Sequence, residues 1–245
     1  MSSDPSRFPY TRHSVLALVQ SDDAGARQLG WDALVRAYWK PAYKYLRLRW
    51  RADRETASDW TQAFFARAIE KGTFERFDPA KARFRTFLRV CLDGFAANER
   101  ESAGREKRGG RVLVASLDFE RAEGELAGVE PPSPDTLDAY FHREWMRTLF
   151  ELALEDLRAE CERDGRAQDY AVFRRYDLDL EPGAESPSYA AIAAELGVSV
   201  THVTNRLHAT RARLRACVLA RLRELCATDE EFRAEARAIL GSESR

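Results

Sequence analysis

Apolar residues recur at intervals of three and four along most of this 245-residue chain, and this spacing predicts α-helices almost throughout. The clearest stripe runs along one segment and consists of Phe84, Phe87, Leu88, Cys91 and Phe95. No two alternating apolar runs flank a tight turn, so the sequence gives no β-hairpin signal. We therefore expect an all-α protein in which Phe84 and Phe87 belong to the core.

The helical pattern stops at an acidic stretch that contains Gly, Pro and no sustained period, which is typical of a flexible linker. This break divides the chain into two small helical domains joined by an acidic flexible linker. The predicted boundaries are residues 10–110 for the first domain, 111–136 for the linker, 137–226 for the second domain and 227–245 for a C-terminal helical extension. In that extension, Thr228 and Glu231 have the spacing of a capping box.

The net charge of −1 conceals a strong segregation of charge. Basic residues outnumber acidic ones by nine to four between Lys81 and Arg111, and by six to none between Ser199 and Arg223. Between these blocks, from Val112 to Tyr140, seven acidic residues face one arginine. Each block alone fits a solvated helix face equally well, but the whole pattern favours two surfaces that contact nucleic acid.

The stretch from Ser188 to Leu214 has the pattern of a helix-turn-helix. Its first helix has one apolar face, Gly197 provides a left-handed stop, and Ser199 can cap the second helix. Val203 and Leu207 are expected to point inward. The residues expected to meet duplex DNA are Ser199, Thr201, His202, Thr204, Asn205, Arg206, His208, Arg211 and Arg213. The alternative interpretation is an ordinary helical hairpin with a polar face.

Four segments, in this order, resemble the sigma-70 family, and the compact two-domain type called extracytoplasmic-function sigma factors is closest. They are Asp-Trp-Thr-Gln-Ala-Phe-Phe-Ala-Arg-Ala at 59–68, Phe-Arg-Thr-Phe-Leu at 84–88, Tyr-Ala-Ala-Ile-Ala-Ala-Glu-Leu-Gly-Val-Ser at 189–199 and Asn-Arg-Leu-His-Ala-Thr-Arg-Ala-Arg-Leu at 205–214. They look like the family's region 2 and region 4 motifs. The resemblance covers about residues 14–110 and 137–226.

The resemblance implies a polymerase-docking helix, with Asp59, Gln62, Phe65 and Arg67 as candidate contacts. The apolar spacing of that helix places Ala57, Trp60, Phe64 and Ala68 on the buried side. For the melted −10 promoter element, the implied surface comprises Arg83, Arg85, Arg89, Asn98, Arg100, Arg105, Lys107 and Arg108. The helix that begins near Val200 would read the −35 element. The acidic linker would either thread a cationic polymerase channel or act as a soluble tether.

Two positions depart from the family pattern. Ala63 replaces the usual acidic residue after the docking glutamine, and Asp93-Gly94 replaces a common Arg-Asn pair. A glycine inside a helix costs about 1 kcal/mol relative to alanine, so we expect a bend or local opening at Gly94.

Other classes of function have little support in the sequence. Four widely separated cysteines form no CxxC pair, the histidines have no zinc spacing, and no phosphate-binding loop or nucleophile motif is present. We therefore expect no enzyme activity, metal or cofactor. No 18-residue apolar run and no export signal appear, which favours a cytoplasmic protein without membrane contact. The expected partners are core RNA polymerase, promoter DNA and an anti-sigma factor or other regulator. Two alternatives stay open: an operator-binding regulator that does not dock on polymerase, and a sigma-like protein that binds polymerase without initiating.

Overall fold

The computed structural model describes residues 14–102, 117–126, 136–179 and 186–241, and within these ranges every regular element is a helix. This confirms the all-α expectation. The α-helices are α1 Val15–Val19, α2 Ala24–Arg49, α3 Arg54–Glu70, α4 Phe84–Ser102, α5 Phe119–Gly124, α6 Leu137–Arg163, α7 Ala167–Phe173, α8 Tyr189–Leu196, α9 Val200–Leu225 and α10 Asp229–Leu240. A 3₁₀ turn at Phe74–Arg76 precedes α4, and a π-helical turn at Arg174–Leu178 follows α7. No helix in the described ranges combines the length and the apolar character needed to cross a membrane.

The chain divides into two compact units. The larger comprises Met1–Thr148 together with Leu222–Arg245, and the smaller comprises Leu149–Arg221. Helices α6 and α9 therefore contribute residues to both units.

Aromatic side chains dominate the core of the larger unit. Tyr38 of α2 packs edge-on against Phe84 of α4, with ring centroids 5.5 Å apart, and Phe84 also meets Phe74 at 5.4 Å. Phe84 is fully buried, whereas Phe87 is half-buried against Phe77. Both phenylalanines therefore contribute to the core, as the spacing predicts.

Helix α5 replaces part of the expected flexible linker. Asp118 accepts a hydrogen bond from the Arg121 amide at 3.0 Å and caps the helix, whose Ala122 is fully buried. The Phe119 ring lies 5.3 Å from Trp39 and 5.0 Å from Tyr43, both on α2. The linker prediction is therefore wrong for residues 117–126, and the rest of 111–136, apart from Thr136, lies outside the described residues.

The acidic side chains of α5 and its C-terminal flank pair with cations on α2. Glu125 accepts hydrogen bonds from Lys40 and Lys44, at 2.6 Å for Lys44 Nζ, and Glu123 pairs with Arg47. The hydrogen bond from Arg47 lowers the pKa of Glu123. For Glu125, burial acts in the opposite direction, but the hydrogen bonds from both lysines lower its pKa. Because buried ammonium groups need counter-charges, the acids of this segment are structural partners of α2.

In the smaller unit, α6 and α9 are joined by a ladder of ion pairs. Arg213 lies 3.1 Å from Glu160, and Arg221 makes two contacts with Asp156 at 2.5 and 2.7 Å. Contacts that advance along one helix while receding along the other show that the two segments run antiparallel. Between the two arginines, the Cys217 thiol is directed at Glu160, and burial raises its pKa to about 11.

Helix α10 begins with the capping box that the sequence predicts. The Thr228 hydroxyl oxygen accepts a hydrogen bond from the Glu231 amide at 3.1 Å, and the Glu231 carboxylate reaches back to the Ala227 amide at 3.0 Å. This reciprocal arrangement satisfies backbone donors at the start of the helix. The helix therefore has its own local start signal.

Candidate nucleic-acid interfaces

Helices α8 and α9 are joined by a three-residue turn that has the capping expected from the sequence. Gly197 ends α8 with φ 64°, in the left-handed region, and the Val198 amide donates to the Ala193 carbonyl at 3.0 Å. Ser199 then starts α9 by accepting a hydrogen bond from the His202 amide at 3.2 Å. These local predictions are confirmed, and they fix where the face of α9 begins.

The first turns of α9 have one buried and one exposed face. Val203, Leu207 and Thr210 are buried. On the opposite side, four exposed polar residues follow the i, i+3, i+4, i+7 spacing that places side chains on one helical stripe. We call Thr201, Thr204, Asn205 and His208 the polar stripe. His202 is exposed at its edge, as is the capping residue Ser199.

Two arginines expected to contact DNA are held by carboxylates of the same unit. Arg206 is half-buried and lies 3.3 Å from Asp169, so it flanks the exposed face of α9. Arg211 makes two hydrogen bonds to Asp177, at 2.9 and 2.7 Å, and its guanidinium lies over the Tyr176 ring. The hydrogen bonds to Asp177 raise the pKa of Arg211.

Arg213, the third of these arginines, contacts Glu160 on α6 and Asp164 just after the end of that helix. All three arginines therefore already have an anionic partner, and the polar stripe carries the exposed side chains of this face. The helical period alone does not reveal these partners, because they come from α6, α7 and the π-helical turn.

The faces of α3 differ from the prediction at two positions, Phe65 and Trp60. Asp59 and Arg67 are exposed and Gln62 is half-buried, but Phe65 is fully buried and is not available to a protein partner. The buried stripe consists of Ala57, Thr61, Phe64, Phe65 and Ala68. Trp60, expected inside, is only half-buried. The apolar spacing is compatible with a helix that turns Trp60 toward the core and with one that turns Phe65 toward it. The structure has the second arrangement, which buries both Phe64 and Phe65.

Arg67 is also engaged within the unit. It lies 2.8 Å from Glu99 of α4, and its guanidinium is 4.9 Å from the centroid of the Phe95 ring.

The expected −10 surface begins with three arginines at the start of α4, and we call Arg83, Arg85 and Arg89 the arginine ridge. Arg83 and Arg85 both contact the same carboxylate oxygen of Glu235 on α10, at 2.7 Å for Arg85. The Arg85 guanidinium also lies 5.4 Å from the centroid of the Trp145 ring.

Arg89 is paired with Asp138 at 2.5 Å and with Asp93 at 2.8 Å. Asp93 also accepts hydrogen bonds from Tyr45 and from the Trp50 indole, both at about 3 Å. Burial, opposed by the hydrogen bond from Arg89, raises the pKa of Tyr45 to about 12. Asp93, one of the departures from the family pattern, is therefore the centre of a hydrogen-bonded network between α2 and α4.

Beyond the ridge, Asn98 and Arg100 are exposed on the last turns of α4. Arg105, Lys107 and Arg108 lie outside the described residues. Helix α4 continues through Gly94, so the expected local opening is absent. A methyl group added at Gly94 would meet no atom within 4 Å.

Sequence reasoning did not find Glu235 or Asp138 as partners of the ridge. They are more than 40 positions from the arginines they contact, and no local pattern links them. Within the part of the chain that the structure describes, no group of three or more His, Cys, Asp or Glu side chains is arranged to hold a metal ion.

No protein-family model, curated protein or solved structure matches this chain.

Proposed function

We propose that this chain is a sigma factor that binds core RNA polymerase and directs it to promoters. The observation that carries the proposal is the α8–turn–α9 segment, with its left-handed glycine, its capped second helix and its polar stripe. The ordered resemblance to sigma-70 motifs supports the polymerase-dependent form of this function. In this proposal, α8 and α9 form a helix-turn-helix that reads the −35 element.

The polar stripe suits base recognition in a major groove. Asn205 has the donor and acceptor that pair with the edge of adenine, and the hydroxyls of Thr201 and Thr204 can contact bases or phosphates. The Thr204 hydroxyl currently donates to the Thr201 carbonyl at 3.0 Å, a local bond that can be exchanged for one to a base. The opposite face of the helix is anchored by buried apolar groups, so the stripe is presented on a rigid element.

Arg206, Arg211 and Arg213 are paired with carboxylates of the same unit. In the proposed function, recognition of the −35 element therefore depends on core polymerase. Phosphate contacts by cations supply most non-specific affinity for duplex DNA. Because these guanidinium groups already hold carboxylates, the chain alone is expected to bind duplex weakly. A polymerase that holds the promoter nearby raises the effective concentration of the −35 element.

The larger unit would supply docking and strand capture. Asp59 and Gln62 on the outer face of α3 are the proposed docking residues, and the arginine ridge with Asn98 and Arg100 is the proposed track for the melted −10 strand. A line of cations beside a single strand is the usual basis of its capture.

The test of docking is co-elution of the purified full-length chain with core RNA polymerase on size exclusion. We expect a stable complex that Asp59→Arg weakens. Asp22→Arg is the matched control, because Asp22 is also exposed and lies outside the proposed docking face. Failure of the unaltered chain to co-elute would reject the proposal. Specific duplex binding without core would then identify an operator-binding regulator, and a complex without promoter opening would identify a sigma-like protein that does not initiate.

A further inference from the structure

Glu235 is the one buried residue of α10, although it carries a carboxylate. Only 1 % of its surface is exposed, and its Oε1 atom accepts from the guanidinium groups of both Arg83 and Arg85. Phe232, the aromatic residue of α10, is half-buried beneath the Arg223 guanidinium. The buried contact between α10 and the ridge is therefore an ionic one.

The second carboxylate oxygen of Glu235 is left without a hydrogen bond to the described part of the chain when α10 is attached. Its Oε2 atom is buried and has no hydrogen-bond partner among the described residues. A buried acceptor that lacks a partner carries an uncompensated desolvation penalty. The bound state of α10 is thus destabilised by the same side chain that holds it.

A carboxylate and a phosphate diester present similar acceptors to a guanidinium group, and arginine binds both through charged hydrogen bonds. Glu235 places such an acceptor between two arginines of the proposed strand-capture track. The two groups therefore compete for the same donors.

We propose that α10 is an autoinhibitory latch, in which the Glu235 carboxylate occupies the position of a single-strand phosphate on Arg83 and Arg85. This inference rests on the proposed role of the ridge in strand capture. The competing ligand is single-stranded DNA, and its binding requires Glu235 to leave the ridge. Arg89 keeps its partners Asp93 and Asp138 when the latch opens, so the latch controls two arginines.

The test measures binding of a fluorescein-labelled oligothymidine 12-mer to the full-length chain by fluorescence anisotropy over a range of salt concentrations. Glu235→Gln removes the competing charge and keeps the side-chain size. We expect binding at least about tenfold tighter than for the unaltered chain, because Arg83 and Arg85 both become available for charged hydrogen bonds to phosphate. Two additional phosphate contacts also make the slope of log K against log salt steeper by about 1.4.

Glu230→Gln is the matched control, because it removes the same charge from an exposed position of the same helix. It should leave both affinity and salt slope close to those of the unaltered chain. Adding Arg85→Ala to Glu235→Gln should cancel most of the gain, which places the binding on the ridge. If a folded Glu235→Gln variant binds no tighter than Glu230→Gln, the latch is rejected.

A further variant, Glu235→Asp, is measured in the same assay in case Glu235→Gln is poorly folded. Glu235→Asp retains the charge but shortens the side chain, so it weakens the bridge to both arginines and should give an intermediate gain. An unchanged affinity for a folded Glu235→Asp variant would also reject the latch. These assays contain no polymerase, so their failure is distinct from failure of the chain to co-elute with core.

Discussion

Replacing Gly197 with alanine tests whether the turn between α8 and α9 depends on a left-handed residue. The backbone there has φ 64°, and a Cβ atom would meet no other atom within 4 Å. Steric conflict with neighbours is therefore absent, and the cost is the backbone penalty alone, roughly 1–2 kcal/mol for a non-glycine residue in this region. We expect Gly197→Ala to destabilise the smaller unit by about 1 kcal/mol after the loss of unfolded-state freedom is included.

Gly94→Ala is the matched substitution, because it adds the same methyl group to a glycine that also has open space around it. This glycine lies inside the continuous helix α4, where alanine is favoured by about 1 kcal/mol. The same chemical change should therefore stabilise the larger unit. The two substitutions differ in sign because one site has a left-handed backbone and the other a helical one.

The assay is urea unfolding of each full-length variant. All five tryptophans lie in the larger unit, so their fluorescence reports Gly94→Ala. Hydrogen exchange of the amides at 189–207 reports Gly197→Ala in the smaller unit. Equal or greater protection of those amides in Gly197→Ala would refute the assignment of the turn to a required left-handed residue.

Three further predictions concern the buried lysine Lys44, the stability of α5 at low pH and the recognition of bases by Asn205. Lys44→Ala should destabilise the larger unit by about 1.5–3 kcal/mol in urea unfolding, because it removes charged hydrogen bonds to the half-buried Glu125 and the buried Glu144 while Lys40 and Arg147 stay beside them; the exposed Lys81→Ala should change it by less than about 0.5 kcal/mol. Glu123 and Glu125 have pKa values below the usual 4.5, so their contribution is full above that pH and is lost as pH falls below it. The protection of the amides of residues 119–124, measured relative to their intrinsic exchange rates at each pH, should therefore fall on acidification below pH 4.5, and constant protection would contradict the pairing. Asn205→Ala should reduce discrimination at one position of the −35 element by about 1–3 kcal/mol in polymerase-dependent promoter binding, whereas unchanged preference would remove Asn205 from the reading surface.

The features that the sequence predicts well are those that depend on near neighbours along the chain. The glycine stop, the Ser199 cap and the inward Val203 and Leu207 each follow from spacing within one or two helical turns. The capping box at Thr228 is of the same kind. Local hydrogen bonding and helical periodicity are sufficient to place them.

The features that sequence reasoning missed depend on partners distant in the chain. Trp60 and Phe65 are both apolar, so spacing does not determine which of them faces the core. The buried lysines of α2 are compensated by α5, which has too few apolar residues to be recognised as a packed helix. The pairing of Glu235 with Arg83 and Arg85 joins residues 150 or more positions apart. Charge composition therefore predicts a basic surface there but does not reveal that the Glu235 carboxylate is bound to it.

Run-off transcription with purified core RNA polymerase and a library of random promoter DNA tests the central proposal most directly. We predict that the chain selects promoters with two conserved elements separated by a spacer, and that initiation requires both core enzyme and the chain. Asn205→Ala should alter the upstream element and leave the downstream one unchanged. Transcription no greater than that of core alone, or selected sequences with no common elements, would contradict the proposal that this chain is a sigma factor.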